Sequence, residues 1–372
     1  MLELLPPPPA GRWPELDPSQ RSVVEHRGPL LVTGAPGTGR TTTALAVVAE
    51  RVHSGLPLAR TLLLAPTRRA AARLRDTLSG HLRLTAGEPT VRTATSLAFS
   101  VLRARASLLG GPPPTLISGP EQDLVLAELL AGHQAGEGVP IRWPAGLEHA
   151  LGLRAFRDEL RDLLMRAAER GLRPQDLDRL GDAHGRPEWR AAAAVYAEYL
   201  DVTHLRSSTP DAGARYDPAV VVDEATEALA AWPKELPQHE RPSWSVVVVD
   251  DYQEATAATV RLLHQLQDDG AELVLLADPD LAVQTFRGAA PALVDRASLP
   301  AGSELGAFGA ATTVLERVWR PGPCLRSVTA AVTAEIRGPQ RRHRAAPAHL
   351  PDRPGADAEV HLVRSSAQEY AD

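Results

Sequence analysis

The sequence predicts an α/β protein built on a parallel sheet, and three observations carry that expectation. Short Leu- and Val-rich runs at 30–33, 61–65, 245–249 and 272–277 alternate with amphipathic stretches of helix length, the pattern of strand–helix–strand units. A Gly/Pro-rich turn from Gly34 to Gly39 separates the first run from the helix that follows it. Between 110 and about 216 the strand signal vanishes and helical periodicity takes over, after which strands return. At 372 residues the chain has room for about two to three domains. With 44% hydrophobic and 23% charged residues it can form cores, which excludes wholesale disorder.

Residues 1–15, with four consecutive prolines, read as a flexible lead-in, and a short helix runs from Asp17 to about Gly28. Strand 30–33 meets the turn and helix 41–52. Strand 61–65 leads to helix 69–78, and strand 90–93 to helix 96–104. Helical periodicity at 121–131, 155–170 and 189–205 marks an insertion over 110–216. Strands 245–249 and 272–277 then flank helix 255–267, and further strands are expected at 312–316 and 359–363. This gives a first sheet part over 16–109, the insertion, a second sheet part over 217–310 and a new unit from 311 to 372.

Composition narrows the partners. A net charge of −6 means that any nucleic-acid contact must come from local patches. The single cysteine, Cys324, excludes an intramolecular disulfide framework and fits a reducing compartment. The N-terminus has no basic n-region or apolar h-region of a signal peptide. No apolar run approaches the roughly 18 residues of a membrane span, so a cytoplasmic location without a membrane partner is expected. Lys234 is the one lysine among the basic residues, the texture of a GC-rich genome.

The turn Gly34-Ala35-Pro36-Gly37-Thr38-Gly39-Arg40-Thr41-Thr42 fits a phosphate-binding loop in all but one position, arginine standing where lysine is usual. Glycines let backbone amides curl round phosphate oxygens, and the following helix directs its positive end at them. A plain Gly-rich turn between strand and helix would share part of this pattern. Thr41 offers a hydroxyl for Mg²⁺. Val246 to Val249 followed by Asp250-Asp251 supplies an apolar strand ending in acid. Asp250 suits Mg²⁺ and Asp251 the orientation or deprotonation of an attacking water. A buried strand with two exposed acids is the alternative.

The order of Gln20, the phosphate loop, Pro66-Thr67-Arg68-Arg69-Ala70-Ala71, Thr93-Ala94-Thr95-Ser96, Asp250-Asp251-Tyr252-Gln253-Glu254, Asp278-Pro279-Asp280, Phe286-Arg287-Gly288-Ala289 and Leu315-Glu316-Arg317-Val318-Trp319-Arg320 resembles the motor of UvrD/Rep-type superfamily I DNA helicases. The Arg-rich texture and the run 156–164 most resemble actinobacterial members, among them the AdnA-type subunit of a heterodimeric helicase–nuclease. The resemblance implies a RecA-like P-loop NTPase sheet with a helical inserted domain and the start of a second RecA-like domain. It implies ATP and Mg²⁺ as cofactors, single-stranded and duplex DNA as partners, and a second helicase–nuclease subunit.

By the same resemblance Gln20 contacts the adenine edge, and Thr67, Arg68, Thr93 and Ser96 line a single-strand groove. Phe286 offers a stacking face to a base, and Arg287 and Arg320 reach the γ-phosphate region. Taken singly, a solvated helix-start residue explains Gln20 as well, an exposed polar loop residue explains each groove residue, a core position explains Phe286, and a salt bridge explains each arginine.

Four departures from the family pattern occur together: Arg40 for the loop lysine, Asp251 for the glutamate of an Asp-Glu pair, Leu281 for a glutamine, and Val318-Trp319 for Asn-Tyr. The guanidinium fork is no substitute for an ammonium point charge, and Asp251 is one methylene short. Weakened or absent hydrolysis is therefore expected, as is continuation of the motor motifs beyond Asp372. The readings are an ATP-driven DNA helicase motor acting in unwinding and repair, or a non-hydrolysing DNA-binding subunit supporting an active partner. A P-loop NTPase unrelated to DNA fits the Phe286-Arg287-Gly288-Ala289 run less well.

Overall fold

The computed structural model describes residues 14–82, 90–207, 213–337 and 341–352; the lead-in up to 13 and the strand expected at 359–363 lie outside them. Helix α1 (Pro18–Glu25) opens on a capping box in which the Asp17 carboxylate accepts from the Gln20 amide at 2.9 Å. Strand β1 (Leu30–Thr33) passes through the glycine turn into α2 (Arg40–His53). Then come β2 (Thr61–Leu64), α3 (Arg68–Leu82), β3 (Val91–Arg92) and α4 (Ala94–Leu108). The insertion runs β4 (Thr115–Leu116), α5 (Gly119–Gln134), α6 (Arg154–Glu169), α7 (Pro174–Ala183), α8 (Pro187–Ser207) and β5 (Arg215–Tyr216). The chain returns through α9 (Val221–Glu235), β6 (Val246–Val249), α10 (Ala257–Asp268), β7 (Glu272–Ala277), α11 (Ala292–Arg296), β8 (Ala311–Val314) and α12 (Pro323–Ala334).

Six strands form one parallel sheet in the order β3-β2-β6-β7-β1-β8. Side chains alternate across it, and β6 shows the consequence. Val247 and Val249 join the core beneath α4, α9 and α10, with Leu97, Leu229, Trp232 and Leu262. Val246 and Val248 join the opposite core beneath α1, α2 and α3, with Val23, Val47 and Leu74. Covered on both faces, the central strands need unbroken apolar runs, which is why they were legible as Leu/Val blocks.

The insertion has its own core, in which Leu126, Leu130, Leu164, Val195, Tyr196 and Tyr199 pack together. Strands β3 and β6 on either side of it lie in the same sheet, and the parallel pair β4–β5 closes its base. There the buried Asp217 carboxylate accepts from the Tyr199 hydroxyl at 2.7 Å, the Gln122 amide at 2.8 Å and the Ala219 N–H at 2.9 Å. Asp217→Asn replaces one acceptor oxygen with a donor and leaves a buried polar group unpaired. A loss of about 1–2 kcal/mol in urea unfolding is expected, and an unchanged midpoint would show that the base is held by packing alone.

One expectation needs correction. The segment after 310 does not open a new unit: β8 pairs with β1 along Leu30↔Ala311 to Thr33↔Val314 and is an edge strand of the same sheet. Its half-exposed Ala-Thr-Thr-Val sequence carries no mark of the sheet it joins. Helix α9, not anticipated, covers the sheet beside α4 through Val221, Val222, Ala225, Leu229 and Trp232, positions whose helical spacing was visible in the sequence.

Candidate functional site

The carboxyl edge of the sheet gathers the candidate residues, as an open parallel sheet does. The turn after β1 has Gly37 and Gly39 at φ 84°, a left-handed conformation that glycine adopts without steric cost. The first turn of α2 begins at Arg40 and presents unsatisfied amides toward the loop. The Thr38 hydroxyl donates back to the Ala35 carbonyl at 2.8 Å and braces the turn. Gly34, Ala35, Pro36, Gly37, Thr38 and Gly39 thus form one cradle, and Thr42 lies on its far side beside Gln20 and Gly39.

Across the edge, the Thr41 hydroxyl donates to Asp250 Oδ2 at 2.9 Å. Asp250 Oδ1 is buried with no hydrogen-bond partner among the described residues. Burial pushes this carboxyl up to about 6; the Asp251 charge adds to the rise, while the Thr41 hydrogen bond and Arg40 oppose it. A hydroxyl beside a carboxylate with one free oxygen is a donor set that fits a hard divalent cation such as Mg²⁺.

Asp251 stands at φ 54°, a left-handed position that aspartate tolerates better than most residues. Its carboxylate accepts from Gln253 Nε2 at 3.1 Å, and Gln253 Oε1 accepts from the Asp278 N–H at 3.0 Å. This buried glutamine fastens the end of β6 to the end of β7. Arg40 occupies the space between. Its Nη1 donates to the Gly34 carbonyl and pairs with Asp278 Oδ2 at 3.1 Å, and its Nη2 lies 3.4 Å from Asp251 Oδ1. Arg40 therefore holds the mouth of the cradle to both acidic ends of the sheet.

Beyond Asp278 the arrangement extends into a segment that the sequence did not flag. His343 Nε2 lies 3.3 Å from Asp278 Oδ1 and 3.1 Å from Asp280 Oδ2, and Arg344 grips Asp280 with Nε and Nη2 at 2.8 and 2.7 Å. Burial raises the Asp280 carboxyl, but the hydrogen bonds and charges of Arg344 and His343 outweigh it and hold it below the usual range. With Arg344 already on Asp280, this cluster is an ion network in which the carboxylates are spoken for.

Gln20 is buried. Its Oε1 accepts from the Asp17 N–H at 3.1 Å and its Nε2 donates to the Thr38 carbonyl at 3.0 Å, so it ties α1 to the cradle. It lines a cavity of about 590 Å³ with Gly39, Thr42, Arg317, Trp319 and His349. The Trp319 N–H donates to the Gly37 carbonyl at 2.8 Å, its indole donates to Asp17 Oδ2 at 3.1 Å, and the His349 ring lies 4.2 Å away. Arg320 is exposed, and a side chain at Gly37 would meet its Cβ at 3.1 Å.

The groove candidates lie along the same edge. Thr67 and Thr93 cap α3 and α4, accepting from the Ala70 and Ser96 amides at 3.1 and 3.2 Å, a local role sequence reasoning did not assign. Arg68 and Ser96 are exposed at those helix starts. Phe286 is 69% exposed, which removes the core alternative, and the Arg287 guanidinium lies 5.4 Å from its ring centroid. Arg287 also lines a cavity of about 240 Å³ with Thr93, Asp250, Asp251 and Glu254. Glu254 accepts from the Val283 and Gln284 amides at 2.8 and 3.0 Å and holds the approach to Phe286. Leu281 is 37% exposed beside Asp280.

Residues 16–299 match the UvrD/REP helicase N-terminal domain. The chain belongs to this family. As a UvrD/REP-type N-terminal domain it is similar to three curated relatives, each named ATP-dependent DNA helicase UvrD1. Those of Mycobacterium bovis and Mycobacterium tuberculosis are each 28% identical over 283 residues, 74% of this chain and 34% of the relative. That of Mycobacterium leprae is 27% identical over 286 residues, 73% of this chain and 34% of the relative. The chain spans about a third of the length of the curated relatives it matches. Among the described residues, no helix is long and apolar enough to cross a membrane.

Proposed function

We propose that this chain is the nucleotide- and DNA-binding part of a UvrD-type helicase motor acting in DNA unwinding and repair. The observation that carries the reading is the Thr41–Asp250 hydrogen bond beside a glycine cradle, on the edge where Phe286 is exposed. ATP phosphates would lie in the cradle from Gly34 to Thr42, with the base in the larger cavity against Gln20 and Trp319. Thr41 and Asp250 would hold Mg²⁺, which supplies charge neutralisation at the β- and γ-phosphate oxygens when bound. Asp251 would orient the attacking water and accept its proton, and Arg40, Arg287 and Arg320 would stabilise charge on the transferred group. Single-stranded DNA would cross the starts of α3 and α4 over Thr67, Arg68, Thr93 and Ser96, with a base on Phe286.

A second reading, a non-hydrolysing subunit of an AdnA-type helicase–nuclease beside an active partner, is favoured by one observation. Arg40 is bound to the cradle's own Gly34 carbonyl and to two aspartates, so it is committed to contacts within the protein.

Oligo(dT) binding measured against salt tests the DNA reading. Each phosphate neutralised contributes about −0.7 to the log–log slope for single strands, so Arg68→Ala should flatten it. Phe286→Ala should weaken binding by about 1–3 kcal/mol and leave the slope unchanged, because stacking releases no counterions. Equal shifts of slope in both variants, or no effect in either, would remove the groove.

A further inference from the structure

The loop bearing Phe286 and Arg287 is held from two sides. From the sheet side, Glu254 accepts the Val283 and Gln284 amides. From the insertion side, α6 reaches it with two side chains one turn apart. Arg166 Nη1 donates to the Phe286 carbonyl at 2.9 Å, and Arg166 Nη2 donates to Glu169 Oε1 at 2.8 Å. Glu169 Oε2 lies against Gly288, where any side chain would collide with it. Gly288 is buried at φ 85° and closes the turn by donating to the Thr285 carbonyl at 3.1 Å. Glycine suits this turn by its backbone angle, and a side chain there would also displace the Glu169 carboxylate.

We propose that Arg166 and Glu169 are positioning residues through which the inserted helical bundle sets the geometry of the Phe286–Arg287 loop for single-stranded DNA. The proposal rests on the reading of that loop as a DNA contact. Movement of α6 then moves the stacking ring directly, without passing through the sheet. The joint is also poised to open. Arg166 Nε and Glu169 Oε2 are buried with no hydrogen-bond partner among the described residues. Arg166 from α6 and Arg170 just after it face Glu169 favourably, and Asp162 from α6 and Asp217 from the insertion base face it unfavourably. Glu254 and Arg287 line the same cavity, and Arg261, which packs on Gly171, is itself paired with Asp223. Burial dominates this balance and pushes the Glu169 carboxyl up to about 7.

The sign of the pH effect follows. A carboxyl near 7 in the closed joint and at its ordinary value when solvated binds protons more tightly when closed. Closure is therefore favoured at low pH, loses about tenfold per unit as pH rises toward 7, and changes little above.

Amide hydrogen exchange on the whole chain without DNA reads the joint directly. In Arg166→Gln, exchange across 284–290 should quicken by about tenfold, while peptides covering β6 and α10 keep wild-type rates. In wild type, loop protection corrected for intrinsic exchange should fall between pH 5 and 7 and then level. Glu169→Gln, the neutral isostere, should stay protected throughout. Unchanged loop exchange in Arg166→Gln, or a pH dependence that survives in Glu169→Gln, overturns the joint. Oligo(dT) affinity completes the test: a loosened loop in Arg166→Gln with wild-type affinity, beside a Phe286→Ala control that does bind more weakly, overturns the proposal. If Phe286→Ala itself binds like wild type, the DNA reading fails instead.

Discussion

Gly39→Val is expected to weaken Mg²⁺–nucleotide binding by about 10³-fold, the loss produced by roughly 4 kcal/mol. Gly39 sits at φ 84° and ψ 28° immediately before α2, where a β-branched residue is a steric outlier. A Cβ there would lie 2.5 Å from Gln20 Nε2, which already donates to the Thr38 carbonyl at 3.0 Å. Valine must therefore either hold a conformation costing about 1–3 kcal/mol or move the turn. Moving the turn separates the first amides of α2 and the Thr41 hydroxyl from the phosphate position, and so removes the anion site as a unit. Titration of a fluorescent ATP analogue with Mg²⁺ against wild type and variant measures the loss. Equal affinities would place the nucleotide elsewhere on the molecule.

The cradle was legible because its chemistry is local: the glycine spacing, the strand before it and the helix after it are written in nine consecutive residues. The same holds for the central strands, since burial on both faces demands uninterrupted Val and Leu. What escaped the sequence depends on contacts between distant segments. That Arg40 bonds to Asp278 and Gly34 could not be read from an arginine in a lysine position. Gln253 is one polar residue in a turn until the fold brings it between Asp251 and Asp278. His343 and Arg344, in an Arg- and Pro-rich stretch, reach Asp278 and Asp280 only because that stretch folds back on the end of β7. Thr67 and Thr93, groove residues by resemblance, also cap their own helices, a role that Thr before a helix signals in any sequence.

Changing three positions at which the sequence departs from the helicase pattern it resembles, Arg40→Lys, Asp251→Glu and Leu281→Gln together, is expected to raise DNA-stimulated ATP turnover by about 10²-fold. The estimate rests on displacement, since about 1 Å of misplacement at a reacting centre costs on the order of 10²-fold. Arg40 spans Gly34, Asp278 and Asp251 with one planar fork. A lysine ammonium cannot satisfy all three and is free to act on phosphate oxygens as a compact charge. Glutamate at 251 carries its carboxylate one methylene farther toward the phosphate position. At φ 54° it also sits less comfortably than aspartate, so the gain in rate should come with a loss of about 1 kcal/mol in stability. Glutamine at 281, on the half-exposed turn after β7, supplies an amide able to hold a water or a phosphate oxygen where leucine supplies neither. A phosphate-release assay with and without single-stranded DNA separates the readings. A large gain in the triple variant over a nearly silent wild type supports the non-hydrolysing subunit. A wild type that already turns over ATP rapidly, with the three substitutions adding nothing, would remove it and leave an active motor.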